Sequence, residues 1–306
     1  MARVAVVGAR GFVGTATATR LTQLGHELVP IRAPRLAPVP PCVDVHELLA
    51  AYSSEVEDMA EAFADTDAII NCAGNPDASS RDEAGLTRAN GDLVAVLGQA
   101  ALLAGTKRFI HVSSAVVQGR RMVLDDTPEV DPYSPYARSK IRGELLLLEV
   151  NPGATVYRPP SVHAPGRRVT RLTQKLARSR LSSVAAPADS PSPQALLENV
   201  ADAVCFLATC PADPPRIVTH PWEGVTTGSL LHLLGGRPPL VIPRPIALAV
   251  VRLAELAGRA FPVLAANARR VEMLWFGQGQ ADSWLTAAGW TPPRQWGAPG
   301  SVSIEL

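Results

Sequence analysis

The sequence predicts an α/β fold: a doubly wound parallel sheet with a smaller, discontinuous C-terminal lobe. Three observations predict it. Strand-like and helix-like stretches alternate over the first half of the chain, a glycine-rich turn joins the first strand to the first helix, and the alternation loosens after residue 159. Alternation of this kind specifies parallel strands with helices on both faces.

Arg3-Val4-Ala5-Val6-Val7 is a short apolar run of the kind that fills a strand buried on both faces. It runs into Gly8-Ala9-Arg10-Gly11-Phe12-Val13-Gly14, and a helix over 11 to 24 follows, with Val13, Ala16, Leu21 and Leu24 on one side and Gly25 at its stop. Strand, glycine turn and helix in that order are what a dinucleotide pyrophosphate requires, because backbone amides and a helix N-terminus must face it. The spacing is Gly-x-x-Gly-x-x-Gly rather than Gly-x-Gly-x-x-Gly, and a tight strand-to-helix turn also uses glycine for steric reasons alone. Next come a strand over 27 to 31 and a proline-rich irregular loop over 33 to 44 leading to a short strand. A helix within 54 to 64, a strand over 67 to 72, a helix over 85 to 104, a strand over 107 to 113, a helix over 134 to 149 and a strand over 154 to 158 follow. A basic helix over 167 to 180 and a Pro/Ser/Ala loop over 182 to 193 precede a helix over 195 to 209 and a strand near 216 to 220 that rejoins the sheet. The division is a Rossmann-like dinucleotide domain from 1–162 plus 195–222, and a substrate lobe from 163–194 plus 223–306. No internal repeat interrupts it.

At 306 residues and 47% hydrophobic content the chain can bury a full core. A net charge of +1 gives no electrostatic reason to expect a nucleic-acid partner. Cys42, Cys72, Cys205 and Cys210 lack Cys-x-x-Cys spacing and a histidine cluster, so free thiols in a reducing compartment and no metal are expected. The first strand begins at residue 3, leaving no room for a signal peptide, and the apolar stretch 245 to 257 is short and broken by Arg252 and Glu255. The expectation is a cytoplasmic protein with no membrane partner.

The chemistry-bearing segment is Ser134-Pro135-Tyr136-Ala137-Arg138-Ser139-Lys140. Ser134 is a good helix cap and Pro135 a good first helical residue, so Tyr136 and Lys140 lie four apart on one face. A phenol with a pKa of about 10 is a poor base near neutrality, and a neighbouring ammonium favours its ionised form. A lone Tyr-x-x-x-Lys is also an ordinary surface helix pair. Downstream of the glycine turn and the pair Ser113-Ser114, it points to an enzyme.

Five segments together resemble the extended short-chain dehydrogenase/reductases, the NAD-dependent epimerase/dehydratase family. They are Gly8 to Gly14, Asn71-Cys72-Ala73-Gly74, Phe109 to Ser114, Tyr136 to Lys140, and Tyr157-Arg158-Pro159-Pro160-Ser161-Val162. The resemblance implies that a serine hydrogen-bonds the reacting oxygen, matched by position to Ser114 rather than Ser113. It implies Tyr136 as acid/base and Lys140 as the group that holds the nicotinamide ribose and tunes the tyrosine. It further implies cofactor contacts from Gly8, Arg10, Gly11, Phe12, Val13, Gly14, Cys72, Ala73, Gly74, Asn90, Pro159 and Val162, with Asn90 either stabilising the site or capping its helix. Leu197 to Ala203, the stretch Val241 to Pro245 and Ala288-Gly289-Trp290-Thr291-Pro292-Pro293 resemble nucleotide-sugar 4-epimerases and 4-keto-reductases. The Gly-Trp-x-Pro-Pro segment fits a packing anchor equally well. Gln118 and His163 stand where such members carry other residues at the pocket border; with Arg168 and Arg270 they are the candidate substrate contacts. Arg167, Arg171 and Arg269 add to the cations available for a sugar diphosphate. Family members often dimerise through the helices matching 85 to 104 and 134 to 149.

The cofactor is read from the end of the second strand, where an acid would bind the ribose 2′-hydroxyl of NAD and an arginine the 2′-phosphate of NADP. Arg32 stands there, Arg10 inside the glycine turn and Arg35 can add charge-assisted contacts to the same phosphate, and no Asp or Glu occurs between Glu27 and Asp44. NADP is therefore preferred over NAD, and with it a 4-keto nucleotide-sugar reductase over a 4-epimerase that keeps NAD bound. A non-catalytic NADP-binding sensor is disfavoured by retention of Ser114, Tyr136 and Lys140, and a non-sugar ketone substrate stays open.

Overall fold

The computed structural model describes residues 1–40, 44–260, 269 and 271–298. Its strands are β1 (Arg3–Val7), β2 (Glu27–Ile31), β3 (Ala68–Asn71), β4 (Arg108–Val112), β5 (Val123–Leu124) and β6 (Thr155–Arg158). They continue with β7 (Ser161–His163), β8 (Ser183–Ala185), β9 (Gln194–Leu196), β10 (Ile217–Thr219), β11 (Leu240–Ile242) and β12 (Gly279–Gln280). Six form one parallel sheet in the order β10-β6-β4-β3-β1-β2. Val4 pairs with Leu28 on one side and Ala68 on the other, so the order reverses at β1. A reversal opens a crevice beyond the carboxyl ends of the flanking strands, here just past Val7 and Asn71.

The sheet is buried on both faces, which is why its central strands are apolar throughout. Val4, Val6, Ile70, Ile110 and Tyr157 face one layer, while Ala5, Val7, Ile69, Phe109 and Val156 face the other. The first layer includes α1 (Phe12–Gln23). Thr17 and Leu21 turn inward, while Leu24 is exposed, so the buried stripe is rotated from the predicted one. The proline-rich loop does not lead to a strand. The Asp44 carboxylate accepts from the His46 and Glu47 amides at 2.8 and 2.9 Å and starts α2 (Val45–Ala51), which is followed by α3 (Ser53–Ala62). Between these helices the buried Tyr52 donates its hydroxyl to the Ala37 carbonyl at 2.7 Å, fastening the loop.

The predicted helix over 85 to 104 is three pieces: α4 (Glu83–Thr87), a π-helical turn over 88–92, and α5 (Leu93–Leu103). Then come α6 (Pro135–Val150), α7 (Arg168–Arg178), α8 (Leu197–Thr209), α9 (Thr227–Gly235) and α10 (Arg244–Ala260). α7 and α9 share a separate core with Val184 of β8: Ala177, Leu230, Leu231 and Leu234. The Gly-Trp-x-Pro-Pro segment is a packing anchor: buried Trp290 donates its indole N–H to Asp202 of α8 at 2.8 Å. Asn199 exchanges hydrogen bonds of 2.9 Å with the backbone of Arg294, so α8 holds the C-terminal segment against the sheet. No helix among the described residues is long and apolar enough to cross a membrane.

Candidate active site

The glycine turn occupies the crevice. Gly8 has φ of +79°, and a Cβ there would lie 2.9 Å from the Ala73 nitrogen, so the turn and the segment after β3 touch through backbone alone. A Cβ on Gly14 would lie 2.1 Å from the Gly8 carbonyl oxygen, which forbids any other residue at the start of α1. Gly11 caps α1 and supplies no side-chain acceptor, leaving the first-turn amides available to a ligand. A glycine cradle joined to an uncapped helix N-terminus suits a dinucleotide pyrophosphate. The Gly8 amide donates to the Ile31 carbonyl at 3.1 Å, bringing the end of β2 beside the turn. Arg10, Arg32 and Arg35 are exposed around it, and none makes an ion pair with a described residue.

The Tyr136 and Lys140 segment forms as predicted. Ser134 accepts from the Ala137 amide at 3.1 Å and Pro135 opens α6. Lys140 is buried and its Nζ donates to the Val112 carbonyl at 3.2 Å, at the end of β4 and two residues before Ser114. Burial lowers its pKa to about 8, opposed by Glu144 and Cys72. Ser113 donates its hydroxyl to Glu144 at 2.5 Å, and Glu144 is ion-paired to fully buried Arg158 at 2.7 Å. Ser113 thus belongs to an internal network. The half-buried Ser114 instead caps the 3₁₀ turn over 115–118, accepting weakly from the Val116 amide at 3.3 Å. Its hydroxyl proton has no acceptor among the described residues, which favours Ser114 over Ser113 as the reactive serine.

The structure differs from the expectation on what tunes Tyr136. Burial raises the phenol to about 12, and the cation that opposes this is Arg167 rather than Lys140. Arg167, one residue before α7, places its guanidinium 4.2 Å from the centroid of the Phe12 ring. One side chain therefore links the entry to α7 with the glycine turn, and its charge acts on the phenol. Sequence reasoning grouped Arg167 with diphosphate-binding cations; only tertiary contact reveals this pairing.

Asn90 lies in the π-helical turn and does not cap a helix. Its Oδ1 accepts from the Asn75 amide at 2.8 Å, and its Nδ2 donates to the Asn75 carbonyl at 3.1 Å and to Ser139 at 3.0 Å. It ties the loop after β3 to α6. Gly74, with φ of +151°, sits where a Cβ would lie 2.7 Å from that Oδ1 and 3.6 Å from Lys140 Nζ, so the loop, Asn90 and Lys140 converge.

Several expected substrate contacts turn inward. Gln118 is fully buried, donating to Asp125 Oδ1 at 2.8 Å and accepting from the Asp125 amide at 3.0 Å, so both ends of its amide are used. His163 is buried, with Gln194 on Nε2 at 2.8 Å and Thr170 on Nδ1 at 3.2 Å; burial lowers its pKa to about 4 and keeps it neutral. Arg269 is buried as well, paired with Glu272 at 2.9 Å and donating to the Gly119 carbonyl. A motif position fixes a place along the chain but not the direction a side chain takes, and in these three the inward direction wins. Arg168 remains exposed at the start of α7; hydrogen bonds from Ser79 hold the Asp77 carboxyl below its usual range, and Arg168 adds a smaller effect. Arg270 lies outside the described residues. Pro159 and Val162 are buried, and the Pro159 carbonyl accepts from Ala115, holding the segment that follows Ser114. Cys72 is partly buried beside Thr17, and burial pushes its thiol up to about 12, which makes it an inert wall of the crevice.

A parallel sheet reversed at β1, a glycine cradle at the reversal, and buried Lys140 anchored at the end of β4 are the frame of a nicotinamide-dependent oxidoreductase. Residues 4–190 match the model of the NAD dependent epimerase/dehydratase family, and the chain belongs to that family. Ceramide reductase of Caulobacter vibrioides (strain NA1000 / CB15N) is 28% identical over 316 aligned positions, covering 98% of this chain and 90% of that protein. Among solved structures, dTDP-4-dehydrorhamnose reductase from Bacillus anthracis str. Ames in complex with NADP superposes with a TM-score of 0.59 at 17% identity, covering 79% of this chain and 84% of that one. UDP-glucuronic acid 4-epimerase from Bacillus cereus in complex with NAD gives a TM-score of 0.57 at 18% identity, covering 79% and 87%. At such identities the superpositions establish the fold.

Proposed function

We propose that this protein is an NADPH-dependent reductase of a 4-keto nucleotide-diphosphate sugar, working as a cytoplasmic homodimer. In this reading the elements around α7, α9 and α10 form the substrate lobe, with residues 1–162 plus 195–222 as the dinucleotide domain. The observation that carries it is exposed Arg32 directly after β2, with exposed Arg10 in the glycine turn, exposed Arg35 three residues on, and no acidic residue between Glu27 and Asp44. Arginines at these positions suit a 2′-phosphate, and a phosphorylated cofactor suits net reduction over the internal redox cycle of an epimerase.

When bound, NADPH supplies the hydride. The chain's own residues do the rest. Gly8, Gly11, Phe12, Val13 and Gly14 would present backbone to the pyrophosphate, and Arg32, with Arg10 and Arg35, would meet the adenosine 2′-phosphate. Ser114 donates a hydrogen bond to the substrate carbonyl oxygen and keeps its proton. Tyr136, held protonated by burial, gives the single proton to that oxygen as negative charge develops, with Arg167 as the opposing cation.

The test is steady-state reduction of a panel of 4-keto nucleotide sugars with NADPH and NADH, together with Tyr136→Phe. NADPH-specific turnover that falls by about 100-fold or more in the variant is expected. Denaturation that releases one equivalent of tightly held NAD would overturn the reductase in favour of the epimerase. A second reading, reduction of a ketone on a long-chain lipid, is favoured by the near full-length similarity to Ceramide reductase. It predicts turnover on a 3-keto lipid and none on the sugar panel.

A further inference from the structure

We propose that the face formed by α7, β11 and α10 docks on an anionic lipid bilayer. The net charge of +1 conceals a strong local asymmetry. Neither 168–182 nor 237–254 contains an Asp or Glu, and between them they carry eight Lys and Arg side chains. All eight are exposed, among them Arg171, Lys175, Arg178, Arg180, Arg237 and Arg244. The two segments are neighbours in space: β11 pairs with β8, the Leu240 amide donates to the Ser182 carbonyl at 2.8 Å, and Arg237 donates to the Arg178 carbonyl at 2.9 Å.

Large apolar side chains stand among these cations. Leu181 is 77% exposed and Leu240 67%, at adjoining positions on the paired segments. On α10, Ile246, Val250 and Leu253 recur at i, i+4 and i+7 and are 55%, 44% and 67% exposed, while Ala247 and Val251 point inward. An exposed helical apolar stripe beside a one-signed basic surface is the pattern of an interfacial helix, whose apolar side enters the headgroup boundary while Lys and Arg meet anionic lipid. A second copy of this chain would bring like charges together across the same face, so charge complementarity selects the bilayer. The sequence expectation of no membrane partner rested on the lack of a spanning segment, a criterion that surface docking does not need. The inference is independent of which carbonyl compound is reduced.

The experiment is flotation of the full-length protein with pure phosphatidylcholine vesicles and with phosphatidylcholine vesicles containing phosphatidylglycerol, at low and high salt. Binding to the anionic vesicles alone, weakened by salt, is expected. Arg178→Gln and Arg180→Gln should each lower the partition coefficient about fivefold, and Ile246→Asp with Leu253→Asp should abolish flotation. NADPH binding and the circular dichroism melt confirm that each variant is folded, and Leu253→Gln serves if the double variant is not. Absence of wild-type flotation on anionic vesicles, or flotation unchanged in every variant, overturns the proposal. So does a wild-type dimer by light scattering that Ile246→Asp and Leu253→Asp convert to monomer without vesicle binding at any stage.

Discussion

The guanidinium of Arg167 stacks on the ring of Phe12, 4.2 Å from its centroid, and so joins the entry to α7 to the glycine turn. It is also the charge that opposes the burial-driven rise of the Tyr136 pKa. Arg167→Ala should therefore lower kcat/KM about tenfold, the effect of losing one partly desolvated cation contact. Arg167→Lys should recover part of the loss, since charge returns without the planar stack. Steady-state kinetics on the three proteins decide it, and an unchanged kcat/KM in the alanine variant would remove Arg167 from the site.

Lys140 carries a stability cost with a defined pH window. Its pKa falls from 10.5 unfolded to about 8 folded, so the unfolded chain binds the proton more tightly. The cost is full below pH 8 and fades as pH rises to 10.5, giving a wild-type gain of about 3 kcal/mol across that window. Lys140→Met should raise Tm at pH 7 while losing activity, and its advantage should vanish by pH 10.5. Urea unfolding at both pH values measures this; an advantage that persists at high pH contradicts the assignment.

Arg32 stands at the carboxyl end of β2, exposed beside the glycine turn. Arg32→Asp should shift preference from NADPH to NADH by about tenfold or more, because a carboxylate repels a 2′-phosphate and accepts from a 2′-hydroxyl. The ratio of kcat/KM for the two cofactors is the readout. An unchanged ratio would place the 2′-phosphate elsewhere, or nowhere.

Glu144 and Arg158 are paired at 2.7 Å, with only 4% and 1% of their side chains exposed, and Ser113 donates to the same carboxylate. Glu144→Leu alone should cost about 3–5 kcal/mol, since it leaves a buried guanidinium without its anion. Combining it with Arg158→Met should recover most of that loss. Equal destabilisation by the single and double variants in chemical denaturation would argue against the pair as the source.

The parts legible in sequence are those set by neighbours along the chain. The Gly8 turn, the Ser134 cap with Pro135, and the Gly25 stop each depend on a few consecutive residues and form where the pattern put them. Local rules also mislead where a competing local signal is stronger: the Asp44 cap turns an expected strand into α2. Gln118 and His163 turn to internal hydrogen-bond partners, a direction no motif match carries, because which side of a loop or strand offers a partner is set by distant residues.

By itself the sequence determined a parallel α/β sheet with a glycine turn at its first crossover and the capped helix that carries Tyr136 and Lys140, because glycine sterics, apolar runs and helix spacing act over short stretches. Only the tertiary structure decided that Arg167 reaches Phe12, that Ser113 is bound to Glu144, and that β11 pairs with β8 and sets Arg237 against the Arg178 carbonyl. Those pairings join residues far apart in the chain, and the order of the strands alone sets which of them meet.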